Sequence, residues 1–287
     1  MVAIIKKEMR TYFTSVAGYG FLAVLLLMVG LFFTGINVDG GIANFSYVLN
    51  NCTVLFLILI PVLTMRLFAE ETRQRTDQLL FTSPLTVGQI VTGKFLSALL
   101  LFVIGMAATM LLPFTLSLFG AIPTAEIAGT YIGYILLGSC YIAVGLFVSS
   151  LTENQIIAAV ATFAVLLLFL VMDMLATSTP GDPRSSAIFL GAIALGLALA
   201  LYGSTKSIWV AAIFFALCAI AGVIVYFTNS LLFDGVIAKF MTWFSLLKRF
   251  NTFFSGILSL GDIVYYVTFS FAFVFLTVHT IEKRRWK

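Results

Sequence analysis

Residues 66–85 read RLFAEETRQRTDQLLFTSPL and lie between two long apolar runs. Between Arg66 and Asp77 this stretch holds three of the chain's twelve acidic residues and three of its sixteen basic residues. The apolar runs on either side have a much lower density of charged residues. The stretch therefore marks where the chain leaves an apolar environment and then returns to it.

The composition of the chain requires that environment to be lipid. Of the 287 residues, 61% are hydrophobic and 10% are charged, and the mean hydropathy is +1.12. A soluble domain averages about 45–50% apolar and about 25% charged residues. Because a soluble fold of this length cannot bury so much apolar surface, the chain is an integral membrane protein.

The apolar runs have the length of membrane-spanning helices, about 17–25 residues, and do not alternate as barrel strands do. We therefore expect an all-α polytopic transmembrane helix bundle with six core spans and an extra hairpin at 187–228, about eight spans in all. The candidate spans are 16–36, 52–68, 95–119, 127–148, 156–175, 187–203, 208–228 and 263–280.

The distribution of Lys and Arg predicts the orientation. With the N-terminus inside, only four basic residues lie outside, namely Arg184, Lys239, Lys248 and Arg249. The positive-inside rule then places both termini and residues 66–94 in the cytoplasm. This topology accounts for the net charge of +4, so the basic balance does not indicate a nucleic-acid partner.

The charged stretch has the pattern of a short helix followed by an elbow. Opposite charges recur at i, i+4, in the pairs Glu71–Arg75 and Arg73–Asp77, which favours a helix. Pro84 then ends the helix, and Thr86 with Gln89 forms a capping box that starts the next one. Two interpretations follow for 66–94: a solvated loop with ion pairs, or a docking surface for a cytoplasmic partner.

Two further segments are amphipathic. Residues 1–15 predict an interfacial helix on the inner leaflet, with a frayed basic tail as the alternative. In 229–261, polar residues recur every three or four positions among aromatic and aliphatic ones, which predicts extracytoplasmic amphipathic helices. They form either an outer gate or a passive interfacial anchor. The candidate gate residues are Lys239, Phe240, Trp243, Phe244, Lys248 and Arg249.

Gly129 and Gly133 form a G-x-x-x-G motif inside the span 127–148. Small residues at this spacing let helices approach closely in lipid. The motif predicts helix packing, either within the chain or at a dimer face.

No catalytic or metal motif is found in the sequence. Residues 88–94, GQIVTGK, match half of a phosphate-binding loop, but Phe95 replaces the Ser or Thr that holds magnesium and no strand precedes them. The three cysteines are scattered in apolar runs, which indicates buried side chains rather than a metal site or a disulfide framework. We expect no enzyme activity, and the scarcity of charges deep in the spans disfavours an ion-coupled carrier.

The chain resembles permease subunits of the ABC-2 superfamily, in particular the gliding-motility type. The resemblance covers most of the chain and rests on IIKKEMRTYFTSVAGY (4–19), PVLTMRLFAEETRQRTDQLLFTSPLTVGQIVTGKF (61–95), SGILSLGDIVYY (255–266) and LTVHTIEKRRW (276–286). The middle stretch is the most specific of these.

The resemblance implies an exporter subunit in a bacterial cytoplasmic membrane. Its cytoplasmic loop would carry a coupling helix over 70–80 that docks into a separate ATPase, which uses ATP and Mg. Two permeases, identical or related, would pair with two ATPases. An ATPase-linked membrane anchor that moves no substrate is the alternative. The implied coupling residues are Glu70, Glu71, Arg73, Arg75, Asp77, Leu79 and Leu80.

Overall fold

The computed structural model describes residues 1–75, 85–178 and 235–285, with scattered helical positions between 185 and 217. Within these residues all regular structure is helical and no strand occurs. The all-α prediction is confirmed.

In chain order, the described α-helices are α1 (Val2–Thr14), α2 (Val16–Phe33), α3 (Ser46–Cys52), α4 (Phe56–Thr64), α5 (Ala69–Gln74), α6 (Val87–Thr109), α7 (Leu111–Ser117), α8 (Thr124–Leu151), α9 (Gln155–Ser178), α10 (Val236–Phe244), α11 (Leu246–Phe254) and α12 (Leu260–Arg285). A π-helical turn at Thr34–Val38 extends α2, and a 3₁₀ turn at Thr53–Leu55 joins α3 to α4.

The six predicted core spans are found in the structure. Within the described residues, six stretches are long and apolar enough to cross a membrane: Val16–Val38, Ser46–Gln74, Val87–Ser117, Thr124–Leu151, Gln155–Met172 and Leu260–Lys283. Apart from scattered positions, the predicted pair 187–203 and 208–228 lies outside the described residues.

The chain forms two compact units, one of Met1–Leu168 with Leu247–Lys287 and the other of Phe169–Leu246. In the first unit α8 is the central helix, because it is the most buried of the six candidate spans. The helices α12, α6 and α4 pack against it.

Aromatic side chains fill the core of the first unit around Tyr134 of α8, which is fully buried. Its hydroxyl donates to the backbone oxygen of Cys52 at 3.1 Å, so its polar end is satisfied inside the bundle. Its ring lies 4.5 Å from Phe56 and 6.0 Å from Phe102, centroid to centroid. The packing of α4, α6 and α8 is therefore specified by a single aromatic cluster.

The N-terminal segment forms a helix, α1, that packs on the start of α6. Ile4 is buried, and a Cβ built on Gly93 of α6 would lie 3.1 Å from its side chain. Glu8 and Tyr12 follow Ile4 at four-residue spacing and so extend the same face. Because that face of α1 packs against protein, the other faces of the helix are the ones that can contact lipid or water.

The predicted start of α6 is confirmed. The hydroxyl of Thr86 accepts from the Gln89 amide at 3.3 Å, and the Gln89 side chain accepts from the Thr86 amide at 3.3 Å. This reciprocal pair is the capping box that the sequence indicates.

Candidate functional site

The charged stretch, residues 66–85, begins with a tight turn and a short helix, α5, at the end of the candidate span Ser46–Gln74. The hydroxyl of Ser149 in α8 accepts from the backbone N–H groups of Phe68 and Ala69, both at 3.2 Å. The same hydroxyl donates to the backbone oxygen of Met65 at 3.2 Å. One side chain of the central helix thus satisfies three backbone groups where α5 starts.

The helix α5 is shorter than predicted. It ends at Gln74, and Arg75 adopts a left-handed conformation with φ of 56°. The predicted helix over 70–80 is wrong at this point, because a left-handed residue terminates the helical hydrogen-bond ladder. Asp77, Leu79 and Leu80 lie outside the described residues.

The side chains of α5 divide into two groups. Glu70 is half-buried and accepts from Arg66 Nε at 2.8 Å and from Arg66 Nη2 at 3.1 Å. Arg73 and Arg75 are exposed. The side chain of Glu71 is only 14% exposed and points inward, where it meets Lys94 rather than the predicted helical partner Arg75.

Lys94 of α6 is the most deeply buried charge of this region, with its side chain 1% exposed. Its ammonium lies 2.9 Å from Glu71 and 3.0 Å from Glu8, and it donates to the backbone oxygen of Leu67 at 2.8 Å. The ammonium thus donates two hydrogen bonds, to Glu8 and to Leu67, and has the Glu71 carboxylate as a second ionic partner. A buried charge of this kind is tolerated because it is fully paired and hydrogen-bonded.

Lys7 contacts the same two carboxylates as Lys94, so the four side chains form a closed set of ion pairs. The Lys7 ammonium lies 3.3 Å from Glu71 and 3.9 Å from Glu8, and its side chain is 57% exposed. We call the four side chains Lys7, Glu8, Glu71 and Lys94 the charge ring. The ring joins α1, α5 and α6 and has no net charge.

A cavity of about 350 Å³ opens beside the charge ring, between α1, the turn before α5 and α6. Its charged lining residues are Lys7, Glu8, Arg66, Glu70, Glu71 and Lys94. Equal numbers of acids and bases give the wall no net charge that would favour an anion or a cation. Tyr12 also lines the cavity, and burial together with the Glu8 carboxylate raises the pKa of its phenol well above the usual value, so it remains neutral.

The predicted gate segment divides into the helices α10 and α11 at Ser245. In α10, Lys239, Phe240 and Trp243 are exposed. The Phe244 ring lies 5.1 Å from the rings of both Phe240 and Trp243, centroid to centroid. The helix α10 thus has a continuous aromatic surface.

Arg249 of α11 contacts residues of α12. Its Nη1 lies 2.9 Å from the Asp262 carboxylate, and its guanidinium carbon lies 3.8 Å from the centroid of the Tyr265 ring. Lys248, the neighbouring predicted gate residue, is exposed. The two basic residues of α11 are therefore not equivalent.

The two motif glycines lie against α11. A Cβ built on Gly133 would lie 2.6 Å from the Cβ of Phe253, and one on Gly129 would lie 2.9 Å from the backbone oxygen of Phe253. Real side chains do not approach this closely. The absence of side chains at both positions is what lets α11 pack on α8.

Sequence reasoning did not find the roles of Glu8, Lys94 and Ser149. A usable signal existed for Lys94, because a lysine just inside an apolar span needs a counter-ion. Six acids are expected at that end of the bundle: Glu8, the three of the charged stretch, Glu153 and Glu282. Ser149 gives no such signal, since serine is common in membrane helices. In the parts of the chain that the structure describes, no group of three or more His, Cys, Asp or Glu side chains could hold a metal ion.

The family model described as ABC-2 family transporter protein matches residues 33–190. That match covers more than half of the chain and includes the turn, α5 and the spans from α3 to α9. No curated protein matches the chain. Six apolar helices among the described residues are long enough to span a membrane, and this multi-pass membrane protein belongs to the ABC-2 family of transporter proteins.

Proposed function

We propose that the chain is the membrane-spanning permease subunit of an ATP-driven exporter of the gliding-motility type. It lies in a bacterial cytoplasmic membrane with both termini in the cytoplasm. A separate ATPase binds and hydrolyses ATP with Mg, and docks at the coupling segment, which we define as residues 66–85. The working complex contains a second permease, either another copy of this chain or a related one.

The observation that carries this proposal is the construction of the described part of the coupling segment. The helix α5 is held at its start by Ser149 and at its inner face by Lys94, while Arg73 and Arg75 are exposed on its outer surface. A rigid projection with exposed arginines suits docking, because little conformational entropy is lost when a partner binds. Arginine is also enriched at protein interfaces.

The helices α10 and α11 form the extracytoplasmic gate in this proposal. The exposed Phe240 and Trp243 of α10, beside the exposed Lys239, give an amphipathic surface suited to the outer membrane interface. Phe244 and Lys248 belong to the same gate. Arg249 contributes differently, because its contact with Asp262 attaches α11 to the start of α12.

Charge reversal on α5 tests the docking proposal. The tagged chain is coexpressed with each ABC ATPase of its own cell and purified, as the native sequence and as Arg73→Glu. The matched control is Lys239→Glu, which reverses one exposed cation on α10. Arg73 is preferable to Glu71 for this test, because a change at Glu71 would also disturb the charge ring.

We expect the native chain and the Lys239→Glu control to retain one ATPase and Arg73→Glu to lose it. Loss of the ATPase from both variants would mean that reversing an exposed cation weakens binding wherever that cation lies. Retention in both would remove the docking role of α5. A native chain that binds none of the ATPases would contradict the ATP-driven proposal as a whole.

A further inference from the structure

The charge ring connects three elements that are far apart in the sequence. Glu8 lies 86 residues before Lys94, and Glu71 belongs to α5. The two carboxylates approach the same ammonium from different helices, at 3.0 Å and 2.9 Å. Neither helix can move away from Lys94 without breaking one of these contacts.

The burial of the ring makes such a break costly. The side chains of Glu8 and Glu71 are 12% and 14% exposed, and that of Lys94 is 1% exposed. A charge that loses its partner in such a place is only weakly compensated by water. Without Lys94, two carboxylates that now share one cation would face each other, and like charges at short range repel.

Lys7 gives the ring an exposed side. It reaches Glu71 at 3.3 Å, but its largely solvated ammonium loses little when that contact breaks. The ring thus has one strong internal cation and one weak external cation. Within the charge ring, displacement of α5 is opposed chiefly by Lys94.

We propose that Lys94 is a positioning residue that makes α1 and α5 move as one body. Glu71 is then the inner attachment of α5, and the outer residues Arg73 and Arg75 are left to meet a partner. One consequence of this link rests on the proposed function: docking of an ATPase at α5 would also displace α1. The link between α1 and α5 involves residues of this chain only and needs no partner protein.

Hydrogen–deuterium exchange on the full-length chain in lipid nanodiscs, without any ATPase, tests the link. The reporters are peptides from α1 and from residues 66–75. We expect Lys94→Met to speed exchange in both peptides by about tenfold. Glu8→Gln, a change in α1, is expected to speed exchange in residues 66–75, and Glu71→Gln to speed exchange in α1.

The decisive measurement combines two changes. In the Lys94→Met background, Glu8→Gln should have no further effect on residues 66–75, because the connection has already been removed. A lysine that merely packed in α6 would not produce this dependence. Lys6→Met, which removes an exposed cation from α1, should leave the exchange of residues 66–75 unchanged.

Unchanged exchange of residues 66–75 in Glu8→Gln would overturn the proposal. That variant keeps Lys94, so it decides the question even if Lys94→Met does not fold. The exchange experiment needs no ATPase, whereas the Arg73→Glu experiment measures only ATPase binding. Failure of the link and failure of the proposed function are therefore separate results.

Discussion

A buried ring of charges joins α1 and α5 to the bundle in addition to packing and hydrogen bonds, whereas α11 is held to it chiefly through close packing. Four ionic side chains join α1, α5 and α6 in the charge ring. On α11, Phe250 and Phe253 are fully buried, and the motif glycines of α8 admit the latter. The region of α11 also has an ion pair, between Arg249 and Asp262. Of the two regions, the charge ring is the one in which a single cation, Lys94, is shared by acids from two helices.

The two attachments differ in how steeply their energy changes with distance. Repulsion between packed atoms rises within a few tenths of an ångström, so a packed contact is either intact or lost. Attraction between charges falls off gradually and permits an exchange of partners. The charge ring therefore resists a displacement of α5 with a force that changes gradually, while α11 is confined to one position on α8.

The largest effect is expected from Lys94→Met, which tests whether charge holds the first region. The change leaves Glu8 and Glu71 without their buried cation, and removing one partner from a buried ion pair costs about 3–5 kcal/mol. The measurement is the free energy of unfolding by SDS titration in mixed micelles. A loss no larger than that of the exposed control Lys6→Met would contradict the role assigned to charge.

Gly133→Ala tests whether packing holds the second region. Its Cβ would meet that of Phe253 at 2.6 Å, so α11 must shift, at a cost of about 1–3 kcal/mol. The same titration measures the loss. Gly30→Ala is the control, because a Cβ there meets no atom within 4 Å, and equal effects in both variants would show that the contact with α11 is unimportant.

Asp262→Asn should have the smallest effect and sharpens the comparison. Arg249 would lose an ionic partner at 2.9 Å but keep the Tyr265 ring. Because the Arg249 side chain is 25% exposed, water can compensate it, and we expect a loss of about 1 kcal/mol. A loss equal to that of Lys94→Met would mean that both regions depend on charge to the same degree.

Features set by local sequence were predictable. The six core spans follow from the length and apolarity of each run, and the Thr86–Gln89 capping box follows from two residues three positions apart. The same reasoning overextended α5. The spacing of Glu71 and Arg75 favours a helix, yet Glu71 faces Lys94 and Arg75 ends the helix. A distant buried cation outweighs a local pair worth only a few tenths of a kcal/mol.

Features set by distant contacts were not predictable from one sequence. The G-x-x-x-G motif indicates a close neighbour but cannot say that the neighbour is Phe253. Arg249 stands out as a basic residue on the predicted outer side, but its pairing with Asp262 depends on how α11 turns into α12. In each case residue type predicts the kind of contact, and the partner follows only from the fold.

The hydroxyl of Ser149 has a consequence for how force could pass through the molecule. It binds Met65, Phe68 and Ala69 at once, so pulling α5 away from α8 would break three hydrogen bonds at a single atom. At a net value of about 1 kcal/mol each, that exceeds thermal energy several-fold. A push on α5 would therefore carry the end of the central helix with it, along a route that does not involve the charges of Lys94. Force from α5 thus has two routes: the Ser149 hydrogen bonds lead to α8, and the charges of Lys94 lead to α1 and α6.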